Sequence, residues 1–338
     1  MNRNLVASIG LVFALIVFTR CSFQKDAEPV KMTGFIQGTT FSVIWYPDQP
    51  ASAVQKGIDS IFLLVNQTAS LYDSSSIISR FNRNEPCEQN IHFQQLVTQS
   101  QRISEQTQGA FDITVAPLIR LWGFYRKEGT MVSDSLISEW LMNIGYSRLQ
   151  IAPDGLVVKL NPGVEIDLNG IAQGYTVDLI AGYFDSLGID RYLVEVGGEV
   201  RCGNKKSAEE PWIIGIEKPA PSDTAPQVVQ VKIAVENRSV ATSGNYRNYF
   251  RENGHTYSHT IDPRTGIPMK DGLISVTVLS TNCTEADAYA TALMVMGLEP
   301  GLLFIEEHPG LEAFFIASEG GKIVTRQSSG FPPFLDTL

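Results

Sequence analysis

Between residues 53 and 71 apolar side chains return every three or four positions (Val54, Ile58, Ile61, Phe62, Val65), the spacing that lines one face of an amphipathic helix. A second, more polar helix is predicted over 96–107. A third is predicted over 115–124, where Pro117 suits a first turn. Residues 41–46 are β-branched and aromatic and read as a strand. So do 156–160 and 192–196, on either side of a helix over 171–187. Strands over 211–217 and 228–235 follow, joined by a Pro-, Ser- and Asp-rich surface loop over 218–227. The last third adds a strand over 275–279, a helix over 285–296, and a hairpin of 314–317 with 322–325 about Glu319-Gly320-Gly321. Strands and helices interleave without a regular βαβ beat, so the predicted class is α+β and not a doubly wound sheet. No internal repeat at a solenoid period is present.

The first two dozen residues are a different kind of object. Arg3 precedes an apolar stretch over residues 5–18, interrupted only by Ser8 and Gly10. That is short beside the roughly 20 residues a membrane-spanning helix needs and suits a signal-peptide core. It ends at Thr19-Arg20-Cys21. A cysteine there resembles the lipid-attachment site of a bacterial lipoprotein, with Arg20 standing where a small residue is usual. The expected organisation is a lipoprotein signal peptide over 1–20, a polar tether over 21–32 and one domain over 33–335. A lipid on Cys21 would anchor the chain to a membrane, facing the periplasm or another extracytoplasmic side.

Composition narrows the class. The chain has 338 residues, 43% of them hydrophobic and 18% charged, which is ample for a buried core. A formal net charge of -10, with no run of Lys and Arg, argues against nucleic acid as a partner. Beyond Cys21 the cysteines are Cys87, Cys202 and Cys283. Their wide spacing excludes a zinc ribbon and supplies no disulfide framework.

Candidate chemistry lies in four stretches. Residues 284–291, read as a helix, put Asp287 and Thr291 at i and i+4 on one face. A carboxylate with a hydroxyl is a hard-oxygen pair suited to magnesium, which keeps waters and takes few protein carboxylates beside substrate phosphates. Thr284 three residues before Asp287 is also close to a capping box, and on this stretch alone capping is the stronger reading. In the second stretch Asp167 follows a strand and precedes Gly170 and Gly174 at a helix start. Backbone could approach a ligand closely there, or Asp167 could simply cap the helix; the pattern is not GxGxxG. In the third, His255 and His259 precede the turn Asp262-Pro263-Arg264-Thr265-Gly266. Proline fixes one φ of that turn and glycine supplies a positive one, and His259 is a candidate proton carrier. In the fourth, Phe111, Trp122 and Phe124 accompany Asp112, a surface for a flat ring or, by default, core packing. No GxSxG, HExxH or Walker A signature is present.

In this order and spacing the stretches resemble the FAD:protein FMN transferases, the ApbE-like lipoproteins. The resemblance runs from about residue 33 to 300. It is carried by Gln37-Gly38-Thr39-Thr40, Ser70-Leu71-Tyr72-Asp73, Ser79-Arg80-Phe81-Asn82, and residues 109–124 and 166–178. Glu195-Val196-Gly197-Gly198-Glu199 and residues 241–247, 258–266 and 285–291 continue it. It implies a T-fold-related, ApbE-like fold with mixed and antiparallel sheets packed by helices, magnesium as cofactor and FAD as substrate. Position by position it implies metal ligation by Asp287, Thr291 and the backbone carbonyl of Gly170. It implies FAD contacts at Gln37, Tyr72, Ala110, Phe111, Asp112, Asp167, Gln173 and Ile261. Catalytic roles would fall to Asp287 and to His259, the latter as base or phosphate orienter. Gln37 stands where many relatives have Met, Gln173 where Lys or Glu is common, and Asn245 where Asp is frequent. The implied reaction is magnesium-dependent transfer of FMN from FAD to a Thr or Ser hydroxyl of an acceptor flavoprotein in a membrane redox complex, releasing AMP. The alternatives are a FAD pyrophosphatase giving free FMN and AMP, and a non-catalytic FAD-binding lipoprotein.

Overall fold

The structure, a computed structural model of the chain, describes residues 28–47, 50–124, 132–207, 209–218, 228–245, 249–252, 255–270 and 272–335. Cys21 and the apolar N-terminal stretch lie outside the described residues, as does the loop over 219–227. Among the described residues no helix is long and apolar enough to cross a membrane.

The chain opens with β1 (Val30–Ile36) and β2 (Thr39–Trp45), then α1 (Ala51–Ala69), α2 (Ile77–Asn82), α3 (Ile91–Gln106), α4 (Ala116–Leu121) and α5 (Asp134–Leu141). The middle holds β3 (Leu149–Ile151), β4 (Val157–Lys159), α6 (Ala172–Ser186), β5 (Tyr192–Val196), β6 (Glu199–Cys202), β7 (Trp212–Lys218), β8 (Val228–Val235) and β9 (Arg238–Gly244). Then come β10 (Tyr249–Glu252), β11 (His255–Asp262), β12 (Ile267–Lys270), β13 (Leu273–Ser280), α7 (Cys283–Met296) and α8 (Leu298–Glu306). The chain closes with β14 (Glu312–Glu319), β15 (Lys322–Gln327) and β16 (Phe334–Leu335).

One sheet organises the rest: eight strands in the order β1-β2-β5-β6-β9-β13-β14-β15, every neighbouring pair antiparallel. An antiparallel sheet commonly leaves one face wet. Here both central faces are covered, and the strands show it. In β13 the last six residues are all buried, and β14 has five buried residues in succession. Val276 and Val278 point into the cluster built with α3 and α7, while Leu279, Phe314 and Ile316 point into the cluster under β7 and β8. The expected α+β class is observed, arranged as helices, large sheet and small sheet.

The helical layer follows burial. α1 is amphipathic as predicted and buries Val54, Ile58 and Phe62 against β2 and α6, with Val65 buried as well. α7 is buried nearly all round, as a helix between a sheet and other helices must be. Gly174 lets α6 cross α7 closely: a Cβ there would lie 2.3 Å from the Cys283 carbonyl oxygen.

Several boundaries moved for local reasons. The helix expected at 96 begins at Ile91, because the Asn90 side chain accepts from the Phe93 N–H and starts it early. The helix expected over 115–124 is a 3-10 turn at 113–115 followed by α4. α2 spans six residues, too few to show a period, and β1 carries Gly34 under the Phe41 ring in place of an alternating side chain.

Candidate active site

The N-termini of α6 and α7 lie side by side, and Gln37, Gly170, Gln173, Asp287 and Thr291 gather at them, while Tyr72, Asp112 and Ile261 are held elsewhere. On α7 the first question is the cap. Asn282, not Thr284, is the N-cap: its side chain accepts from the Glu285 N–H at 2.8 Å. Asn282 and Glu285 thus hold the N-cap and N3 positions, and the capping reading of Thr284 with Asp287 is overturned. Asp287 lies a turn deeper, free of its own helix end.

What Asp287 does is reach across. Its carboxylate accepts from the Gly174 N–H at 3.0 Å, one of the donors that the first turn of a helix leaves unpaired. Ile171, the N-cap of α6, makes no side-chain cap of its own. Asp287 is buried and, among the described residues, accepts no other hydrogen bond. Burial, offset in part by the Gly174 hydrogen bond and reinforced by the negative charge of Asp178, pushes its carboxyl up to about 7.

Thr291 lies one turn further along α7, and Gly170 comes against it. A Cβ on Gly170 would meet the Thr291 hydroxyl at 3.1 Å and the Phe111 ring at 3.3 Å. A side chain there would be crowded, and the Thr291 hydroxyl has no hydrogen-bond partner among the described residues. Phe111 and Ala110 are buried in the main core. The aromatic stretch therefore packs, and in packing it sets one wall beside Gly170.

The segment leading to Gly170 is clamped from two sides. Asn82, at the end of α2, donates to the Ile166 carbonyl and accepts from the Ile166 N–H, both at 2.8 Å. One side chain thus imitates a strand neighbour. The Asp167 N–H donates to the Ile113 carbonyl at 2.7 Å. Asp167 itself does not cap α6; it is buried and accepts from the Asn169 N–H at 2.7 Å, closing the turn before Gly170. Asp112 is likewise engaged with protein. It accepts from the Thr114 N–H and hydroxyl and from the Tyr146 N–H. Burial raises its pKa, and those hydrogen bonds oppose the rise.

Gln37 sits at the tip of the β1–β2 hairpin with a positive φ of 52° and donates to the Thr176 hydroxyl of α6 at 2.7 Å. Its carbonyl oxygen is buried and unpaired among the described residues. Gln173, in the first turn of α6, lies on Gly197, where a Cβ would be 2.6 Å from its amide nitrogen. Tyr72 is 90% exposed on a turn whose N–H groups at Tyr72 and Asp73 donate to the Ser70 hydroxyl. Ile261 is buried with Leu118, Trp122 and Ile137. The turn after β11 forms as expected, with the Gly266 N–H donating to the Asp262 carbonyl and Gly266 at φ 73°. His259 lies on β11, and its side chain lies outside those described.

Two helix N-termini with their partial positive charge, a buried carboxylate and a free hydroxyl make a place for a cation beside an anion. No group of three or more His, Cys, Asp or Glu side chains able to hold a metal occurs among the described residues. A magnesium site with one protein carboxylate does not need such a group. Asp287, with a single hydrogen bond to its buried carboxylate, fits that role, and Thr291 follows it by one turn of α7 with Gly170 against the hydroxyl. A cavity of about 340 Å³ elsewhere, lined by Phe81, Cys87, Phe93, Val157 and Lys159, contains none of the expected site residues.

The model of the ApbE family matches residues 37–315. The FAD:protein FMN transferase of Vibrio cholerae is 37% identical over 98% of this chain and 99% of its own length. That of Haemophilus influenzae is 32% identical over 97% and 98%. Among solved structures, the flavin transferase ApbE from Vibrio cholerae superposes with a TM-score of 0.79 at 34% identity, covering 91% of this chain and all of that one. The apo flavinyl transferase ApbE of Pseudomonas stutzeri gives 0.79 at 34%, covering 89% and 95%.

Proposed function

The chain belongs to the ApbE family, and on that footing we propose that it is an FAD:protein FMN transferase that uses magnesium to move the FMN half of FAD onto a protein. The observation that carries the metal part of this reading is the convergence of Asp287 on Gly174 at 3.0 Å with Gly170 against the Thr291 hydroxyl. Asp287, Thr291 and the Gly170 carbonyl would hold the ion. Magnesium, when bound there, neutralises charge on the pyrophosphate.

The chain's own residues supply position. The α6 and α7 N-termini turn their partial positive charge toward an anion. Phe111 walls the Gly170 side, and Gln37 and Gln173 line the opening turns of α6 with neutral amides. In the reaction the hydroxyl of an acceptor Thr or Ser forms a new bond to the FMN-side phosphorus. The bond from that phosphorus to the bridging oxygen breaks, and AMP leaves with both electrons. His259 is assigned the hydroxyl proton. Positioning and electrostatics then account for most of the rate, as in phosphoryl transfer generally.

The acceptor is a flavin-carrying subunit of a membrane redox complex, and a lipid on Cys21 would keep the enzyme on the extracytoplasmic face of a membrane, where such subunits lie. These two statements rest on family resemblance and on the sequence of residues 1–21. Incubation with FAD, magnesium and an acceptor protein, followed by mass spectrometry, tests the whole reading. Covalent FMN on Thr or Ser with equimolar AMP is expected. Free FMN with an unlabelled acceptor would identify a pyrophosphatase instead, and bound but uncleaved FAD would identify a carrier.

A further inference from the structure

We propose that Asp178, two turns into α6, is a positioning residue for the metal site: it holds α7 so that the Asp287 carboxylate stays on Gly174. The inference rests on the magnesium reading above only for its consequence in metal binding, not for the geometry. Asp178 accepts from the Cys283 N–H at 2.9 Å and from the Thr284 N–H at 2.8 Å and hydroxyl at 2.6 Å. Those are the first two residues of α7. Asn282 serves the Glu285 N–H, so the remaining early donors of α7 are satisfied from another helix.

The exchange is reciprocal. α6 sends Asp178 to the start of α7, and α7 sends Asp287 to the start of α6. Each helix end is capped by its neighbour's carboxylate, and Gly174 brings them close enough for both contacts at once. Two carboxylates beside each other would repel. Arg201 relieves this by pairing with Asp178 at 2.9 Å, leaving Asp287 as the carboxylate without a cationic partner among the described residues. A cation brought to Asp287 therefore meets an anchored ligand, held by a neighbour whose own charge is already balanced. Loss of Asp178 would undo this twice, by freeing the start of α7 and by removing the carboxylate that balances Arg201.

Outer residues that orient a metal ligand typically change metal affinity by about 10–100-fold when removed. The test uses the full chain with Asp178→Asn and, for a gentler change, Thr284→Val, which deletes one of the three hydrogen bonds. Amide hydrogen exchange in the metal-free protein reads the Gly174 N–H directly. Manganese binding by electron paramagnetic resonance reads the ion. In Asp178→Asn we expect exchange at Gly174 to accelerate by at least about 10-fold and the manganese Kd to rise by about 10–100-fold. The magnesium concentration for half-maximal FMN transfer should rise in parallel, with kcat recovered at saturation. Thr284→Val should shift each quantity the same way by a few-fold, and it carries the test if Asp178→Asn does not fold. Faster exchange at Cys283 and Thr284, with Gly174 exchange and manganese Kd unchanged, would overturn the proposal and leave Asp178 a cap alone. If the parent protein binds no manganese, the magnesium reading fails and exchange at Gly174 alone decides the positioning role.

Discussion

Removing the cation should make stability fall as pH rises, through Asp287. Its carboxyl is pushed from the ordinary 3.8 to about 7, chiefly by burial. Below about pH 4 it is protonated folded or unfolded, and contributes no pH dependence. Between about 4 and 7 the unfolded chain ionises Asp287 while the folded protein keeps it protonated. The folded state then binds more protons, and stability falls with each unit of pH. Above about 7 the penalty is complete. Three units at 1.36 kcal/mol each make it about 4 kcal/mol, or about 8 °C of melting temperature in a domain of this size.

The buried Asp112 and half-buried Glu195 carboxyls are also shifted upward, so the observable is a difference. Asp287→Asn keeps an oxygen for the Gly174 N–H and removes the ionisation. Melting temperatures of both proteins in a chelator, from about pH 4 to pH 8, should show the parent losing ground to the variant as pH rises. Adding magnesium at the alkaline end should restore the parent by about 2.7 kcal/mol at a hundredfold excess over Kd, and leave the variant unmoved. A difference that stays flat across the range would refute the argument that the buried Asp287 carboxyl has a raised pKa.

Within α6, two glycine-to-alanine changes should have opposite signs. Gly174→Ala places a Cβ 2.3 Å from the Cys283 carbonyl oxygen and 2.9 Å from the Asp287 Cβ, forcing two helices apart at a cost of about 3 kcal/mol. Gly182→Ala meets nothing within 4 Å and should stabilise by about 0.5–1 kcal/mol through helix propensity; equal shifts in the two melting curves would contradict this. Asn82→Ala leaves both polar groups of buried Ile166 unpaired and should cost about 3 kcal/mol, with Asn82→Asp milder because it keeps the acceptor, as chemical denaturation would show. His259→Gln should lower the rate of FMN transfer by about 100-fold while fluorescence titration shows FAD affinity unchanged. A weakened affinity with normal turnover would move His259 from base to binding.

Elements with a strong private pattern were readable in the chain. α1 declares its face through Val54, Ile58 and Phe62, and β5 and β8 end where their apolar runs end. Elements that owe their existence to neighbours were not. β6 is four residues long and becomes a strand because β5 and β9 flank it. β1 pairs seven residues with β2 although its own pattern is broken by Gly34. α7 is buried on nearly every side, so its periodicity carries little direction. Only the layer above and the sheet below explain why Ala286, Ala288, Ala290 and Ala292 are all buried in it.

The site divides along the same line. Asp287 and Thr291 are visible as an i, i+4 pair, but their meaning turns on where the helix begins. The sequence holds two overlapping start signals, Asn282 with Glu285 and Thr284 with Asp287. Thr284 is the better box residue by type, yet its hydroxyl is drawn to Asp178, which is 106 residues away in the chain. With Thr284 engaged, the start falls to Asn282, and Asp287 moves from the helix rim to its interior. There a carboxylate has no local reason to exist. A buried acid with one hydrogen bond is costly, and it persists only if something outside the helix uses it. The Gly174 amide accounts for one of its oxygens. The other carries no hydrogen bond among the described residues, and burial holds the group largely protonated below about pH 7, so the acid costs least to keep either neutral or beside a cation such as the proposed magnesium.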